Sequence, residues 1–187
     1  MAEIMVGRRF LRKQSHPTRL VSTFTRIHEH MPDYRRNYVP GGTYFFTCVT
    51  HYRCPILTTD LGRKCLRETM RKVQADHPFT IVAIVLMPEH WHTVWTLPQQ
   101  DASYSLRWMR IKEEFTEAWL RARGGELPQS HSRQKHRQRG VWHKRYWEHT
   151  VSDEDDLKRC LDYIHWNPCK HRDVPVIVKT DSGLLMV

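Results

Sequence analysis

The chain has 187 residues, with 30 Lys plus Arg against 20 Asp plus Glu, a formal net charge of +10 with neutral histidine. That length suits one well-cored domain rather than two, and seven Trp, seven Tyr and six Phe supply a core, which excludes wholesale disorder. There is no run of about 18 apolar residues for a membrane span, and five cysteines without a C-x-x-C pair argue against a disulfide scaffold or a cysteine zinc module.

Residues 1–30 carry Arg8, Arg9 and Lys13 but no long apolar stretch or small-residue cleavage site, so they are expected to be a poorly ordered basic extension and not a secretory signal. The globular domain is expected over 31–171. Gly41-Gly42 closes a turn, and the β-branched and aromatic run Thr43–Thr50 predicts a first strand. Thr59-Asp60 can cap a helix to about Asp76, with Leu61, Cys65, Leu66, Met70 and Val73 at helical spacing. The nearly continuous apolar run Phe79–Met87 predicts a covered strand, and after Pro88-Glu89 the β pattern resumes over Trp91–Leu97. A second helix follows from about Ser103 to Arg123, then a strand at Tyr146–Val151. Ser152 is the expected N-cap of a last helix running to about Trp166, with Asp153, Glu154 and Asp155 in the first turn, where the helix dipole favours acids. The order β-α-β-β-α-β-α is α+β. Its first six elements predict a ferredoxin-like, four-stranded antiparallel sheet with helices on one face, followed by a C-terminal helix.

Arg121–Arg145 holds eight basic residues and one acid, Glu126, a net +7 of the total +10. Gly124-Gly125, Pro128 and its Ser and Gln content predict a long loop, either a solvated segment or a phosphate-binding arm. Trp142, Tyr146 and Trp147 are candidates to stack on unpaired bases beside it.

His90-Trp91-His92 is the sharpest chemical feature. On a strand, residues i and i+2 share a face, so both imidazoles can converge on one metal while the residue between them points the other way. Glu89 is expected to be a solvated turn acid. On the last helix Tyr163 and Asn167 lie four apart and share a face. The tyrosine hydroxyl is a candidate nucleophile toward a metal-polarised phosphate, and the asparagine carbonyl a candidate third ligand. Two imidazoles and a hard oxygen donor with positions left open suit Mg²⁺ or Mn²⁺. The same residues are compatible with a packing tyrosine and a helix stop.

Taken together, Asp33-Tyr-Arg-Arg36, Gly41–Thr47, Met87–His92, Trp95–Pro98, Trp147-Glu-His149 and Tyr163–Pro168 occur in one order. Over Met31–His171 this resembles the REP-associated tyrosine transposases, relatives of the insertion-sequence transposases that act on single-stranded DNA. The resemblance implies a ferredoxin-like HUH domain in which His90 and His92 are the metal pair, Asn167 the third ligand and Tyr163 the nucleophile. It implies transesterification of DNA through a 5′-phosphotyrosyl link, which agrees with the absence of a Gly-x-x-x-x-Gly-Lys loop. The implied partners are single-stranded or hairpin DNA of repetitive extragenic palindromes, bound by a monomer in the cytoplasm at the nucleoid, with no membrane involvement. Arg35 and Arg36 are candidates for phosphates near the hairpin base, and Arg133, Lys135, Arg137, Arg139, Lys144 and Arg145 for the basic arm. His149 matches a recurrent family position with a structural or catalytic role. The segment 172–187 departs from the family pattern and is expected to be a divergent tail. Two other functions compete with a DNA endonuclease and strand transferase: a hairpin-binding descendant that does not cut, and a zinc hydrolase built on His90 and His92.

Overall fold

Strand β1 (Thr43–Val49) pairs antiparallel with β3 (His90–Thr96) along its whole length, from Thr43 opposite Thr96 to Val49 opposite His90. This pair is the centre of the four-stranded core β4-β1-β3-β2 in the computed structural model, which describes residues 36–136, 138–170, 177–180 and 183–186. Strand β2 (Thr80–Leu86) lies on the far side of β3, and β4 (Trp147–Thr150) on the far side of β1. The order β4-β1-β3-β2 is that of the ferredoxin-like core expected from the element sequence. Two further strands were not anticipated. The C-terminal segment forms a hairpin, β5 (Ile177–Thr180) and β6 (Gly183–Met186), that pairs through β5 with β2 and makes the sheet six-stranded.

Helices α1 (Asp60–Asp76) and α2 (Tyr104–Arg121) cover one face of the sheet. Helix α4 (Glu154–Lys170) covers the other, where the Tyr163 ring meets Phe45 and His92. Cover on both faces explains why β3 is buried from His90 to Trp95 and why the central strands read as apolar runs. A five-residue helix, α3 (His131–Lys135), interrupts the stretch expected to be loop throughout. The described residues from 37 onward form one compact unit. The proposed extension 1–30, Arg35 and Arg137 lie outside the described residues.

The face under α1 and α2 is an aromatic core. Trp95 stacks on Trp108 at 4.7 Å between ring centroids, Trp91 meets Trp108 at 5.0 Å, and Phe79 and Phe46 close on Trp95 at 4.4 and 4.7 Å. Two residues expected to stack on bases belong to this core instead. Tyr146 stacks on Trp108 at 5.0 Å, and Trp142 is buried with its edge on Phe115 at 4.9 Å. An indole left in water forgoes the burial that this packing supplies. Trp147 is half-buried with its edge on Phe45 at 5.8 Å.

Helix ends follow local chemistry. Thr59 Oγ1 accepts the Gly62 N–H at 3.0 Å, the N-cap expected for α1. For α4 the cap is Asp153 and not Ser152. Asp153 Oδ1 accepts the Asp156 N–H at 2.8 Å, while the Ser152 N–H donates to Asp156 Oδ2 at 3.0 Å. The helix also continues past Trp166 to Lys170, taking in Pro168 near its end. A proline in the last turn removes one helical hydrogen bond and need not end the helix there.

One buried ion pair ties α2 to the turn before β2. The Arg107 side chain is 2 % exposed, and it donates to Pro78 O at 2.6 Å, His77 O at 3.2 Å and Asp101 Oδ2 at 2.7 Å. The guanidinium holds the Asp101 carboxyl down at about 2. The pair's stabilisation is therefore fully present above the ordinary aspartate range near pH ~4 and is lost as pH falls through about 2. Asp101→Asn should cost about 1–2 kcal/mol in urea unfolding at pH 7, with the difference from wild type shrinking toward pH 2. A deficit that stays constant with pH would refute the assignment.

Candidate active site

The β3 pleat separates two functions. Trp91 points into the aromatic core and is fully buried, so His90 and His92 share the opposite face under α4. Their rings lie 4.9 Å apart at 79°. Strand register supplies their neighbours. Thr47 on β1 and Val85 on β2 flank His92, and Val49 stands opposite His90.

Each imidazole is oriented through Nδ1. Thr47 Oγ1 is 2.8 Å from His92 Nδ1, and Glu89 Oε1 is 3.1 Å from His90 Nδ1. Glu89 is therefore not the solvated turn acid expected from its place after Pro88. It also faces Arg53, whose Nη1 is 3.6 Å away. With both Nδ1 atoms engaged, Nε2 of each ring is the atom that can carry a metal.

Helix α4 lays Tyr163 against this pair. Its ring meets His92 edge-on at 5.1 Å and Phe45 edge-on at 5.7 Å. Burial pushes the Tyr163 hydroxyl above its ordinary value, and a hydrogen bond from the Asn167 side chain partly offsets that rise. Because Asn167 Oδ1 has no hydrogen-bond partner, it is the Asn167 amide N–H that reaches Tyr163. Asn167 is buried, and its Oδ1 accepts no hydrogen bond. A buried carbonyl oxygen left over in this way is costly unless something else coordinates it. Two imidazoles and one uncommitted amide oxygen are a donor set that fits Mg²⁺ or Mn²⁺. The four residues His90, His92, Tyr163 and Asn167 are thus linked by ring contacts and one hydrogen bond. His165, between Tyr163 and Asn167 on the helix, is exposed.

A second cluster fixes α4 to the sheet. His149 Nε2 on β4 is 2.8 Å from Asp156 Oδ2, and Asp156 also accepts from Ser152 N at 3.0 Å and Arg159 Nη2 at 3.2 Å. Burial raises the Asp156 carboxyl, but these donors more than reverse that and leave it below its ordinary value. With the buried Cys160 these residues bring three potential metal-ligating atoms within 4.8 Å of one another. Burial and the Asp156 charge push the Cys160 thiol up to about 12. A metal would need that proton gone and the His149–Asp156 contact opened, so the trio serves as a latch.

The basic arm divides in two. Arg133 Nη2 donates to Arg139 O at 2.7 Å and Trp142 O at 2.9 Å. Arg139 Nε pairs with Glu126 Oε1 at 2.8 Å and holds that carboxyl down at about 2. These two arginines knit the arm together. Lys135, Lys144, Arg145 and, further back, Arg36 are exposed. Thr47, Glu89 and Asp156 are the site residues that motif reading missed. Alternation in β1 puts Thr47 on the Phe45 face, but only the register with β3 shows that it meets His92.

The family model described as "Transposase IS200 like" matches residues 38–167. A REP-associated tyrosine transposase of Escherichia coli K12 is 39% identical over 142 residues, covering 75% of this chain and 74% of its own length. A Haemophilus influenzae relative with the same family designation is 37% identical over 152 residues, covering 79% of this chain and 81% of its own. A solved structure, described as a REP-associated tyrosine transposase bound to a REP hairpin, matches with a TM-score of 0.63 and 39% identity over 77% of this chain and 76% of that one. The chain belongs to the IS200-like transposases, in the branch of the REP-associated tyrosine transposases. It is thereby a member of a family of DNA-processing enzymes. Among the described residues no helix is long and apolar enough to cross a membrane.

Thr47→Val removes the partner of a buried imidazole nitrogen at nearly constant volume. It should cost about 1–2 kcal/mol in urea unfolding, whereas a neutral result would show that His92 is not held through Nδ1.

Proposed function

We propose that this protein is a metal-dependent endonuclease and strand transferase acting on single-stranded DNA beside palindromic hairpins. The observation that carries the reading is the contact between Tyr163 and the histidine pair, with Asn167 donating to the same hydroxyl while keeping a buried carbonyl oxygen in reserve. His90 and His92, oriented by Glu89 and Thr47, hold Mg²⁺ or Mn²⁺ with Asn167 Oδ1. Bound there, the ion supplies Lewis-acid polarisation of a phosphate oxygen and positions the scissile phosphodiester.

Tyr163 Oη attacks phosphorus, and the Tyr–O–P bond forms as the bond to the 3′ oxygen breaks. The phenolic proton is lost and the departing oxygen gains one, leaving a 5′-phosphotyrosyl link and a free 3′-hydroxyl. One phosphodiester replaces another, so the step reverses without an external energy source and permits rejoining. Asn167 steers the hydroxyl, and Phe45 and His92 confine the ring. The REP hairpin bound by the matched transposase is the substrate class we assign to this chain. Exposed Lys135, Lys144, Arg145 and Arg36 are the proposed phosphate contacts, together with Arg35 and Arg137, while Arg133 and Arg139 shape the arm that presents them.

Covalent capture on a labelled palindromic hairpin with a single-stranded flank and Mg²⁺ or Mn²⁺ tests this reading. A denaturing gel should show a protein–DNA adduct that Tyr163→Phe abolishes and His90→Ala or His92→Ala lowers at least ~100-fold. Tyr163→Phe should still shift the hairpin in a native gel. Hairpin binding without any adduct would instead support a non-cleaving binder. Because the Tyr163 hydroxyl titrates above its ordinary value, little of it is ionised at neutral pH. Single-turnover cleavage should therefore rise from pH 7.5 to 9.5, and a flat profile would remove the phenol's proton loss from the slow step.

A further inference from the structure

Between the site and the basic arm lies a turn that neither uses. His51–Arg53 form a single 3₁₀ turn after β1, and its last two residues adopt left-handed backbone, with φ of +49° at Tyr52 and +53° at Arg53. Side chains with a Cβ disfavour that region by about 1 kcal/mol or more per residue, so two in succession persist only where the surroundings impose them. Here they do. Thr50 Oγ1 donates toward Cys54 O at 2.8 Å and Glu89 O at 2.9 Å, clamping the turn onto the hairpin that bears His90. On the opposite side the His51 N–H donates to Val141 O and the His143 N–H to Val49 O, both at 2.9 Å, joining the turn to the end of the basic arm.

This imposed conformation turns outward a side chain that gains nothing from exposure. Tyr52 is 77% exposed, with its ring backed by the buried imidazole of His51 at 4.2 Å between centroids. Arg53 beside it is mostly exposed and leans toward Glu89, the carboxylate that orients His90. A rigid aromatic face next to a guanidinium, one residue apart and on the route from Lys144–Arg145 to the histidine pair, has the chemistry of a nucleotide grip: a π surface for a base and a cation for its phosphate.

We propose that Tyr52 and Arg53 form a subsite for an unpaired nucleotide, with Tyr52 stacking on the base and Arg53 meeting the adjoining phosphate, so that single-stranded DNA leaving the basic arm is led to His90. This deepens the nuclease reading and rests on it for the substrate class.

The decisive variant is Tyr52→Gly, which removes the ring at a φ that glycine adopts without strain, so its thermal midpoint should not fall. Binding is measured in a Tyr163→Phe background, where no adduct forms, using a hairpin with a single-stranded flank, the same hairpin without it, and the flanked hairpin carrying 2-aminopurine at successive flank positions. Tyr52→Gly should weaken the flanked hairpin roughly five- to one-hundred-fold and leave the blunt hairpin unchanged. Quenching of one 2-aminopurine should vanish with it, while Tyr52→Phe keeps both affinity and quenching. Arg53→Ala should lower the salt dependence of flank binding by about one unit of slope. Equal affinity of Tyr52→Gly and Tyr52→Phe for the flanked hairpin, or an equal loss on both hairpins, overturns the proposal. Adduct formation by the otherwise wild-type enzyme without Tyr52-dependent quenching sinks this inference alone; quenching without an adduct sinks the cleavage reading alone.

Discussion

The face that carries His90 and His92 depends on the period-two pleat of β3, held by Trp91. That indole is wedged among Trp95, Trp108 and the α2 face, so the strand cannot slip by one residue without driving an aromatic ring of the core to the opposite face. His90 and His92 inherit their direction from that anchor. Their partners inherit theirs from register: Thr47 sits opposite His92 because β1 pairs with β3 from Thr43 through Val49 without a bulge. Precision in the polar face is thus paid for by apolar packing on the other.

The helix that carries Tyr163 and Asn167 is fixed by a different set of forces. The N-terminus of α4 is secured by Asp153 and by the Asp156–His149 contact, and its middle by fully buried Cys160 and Ile164. Tyr163 and Asn167 stand about one and two turns beyond Cys160 and on either side of Ile164, where the helix has no choice of rotation left. Fixing both ends of the constellation on rigid elements keeps the phenol and the imidazoles within a single ring contact of each other, which suits a reaction that gains from held geometry.

The parts legible from sequence were those written in local pattern. Alternation and capping signals located every core strand and helix within a few residues, and i, i+2 spacing in His90–His92 together with i, i+4 spacing in Tyr163–Asn167 placed each pair on one face. What escaped depended on long-range pairing. Glu89 looks like any turn acid until the turn folds over His90. Trp142 and Tyr146 have the composition of stacking residues, but Phe115 and Trp108 offered them burial. Arg133 and Arg139 add to a charge tally as though solvated, although backbone carbonyls and Glu126 engage them. The tail carries too weak a pattern to announce that it completes a sheet.

That tail has a consequence for how the molecule comes into being. Strand β2, Thr-Ile-Val-Ala-Ile-Val-Leu, is the most continuously apolar strand in the chain, and in a sheet of four it would lie at the border with its amides and carbonyls unpaired. Such a border recruits other chains. The β5–β6 hairpin occupies it, and because these strands are the last of the sheet in chain order, β2 stays open during folding until they dock. The hairpin that follows the helix of Tyr163 and Asn167 thus acts as a lock on self-association.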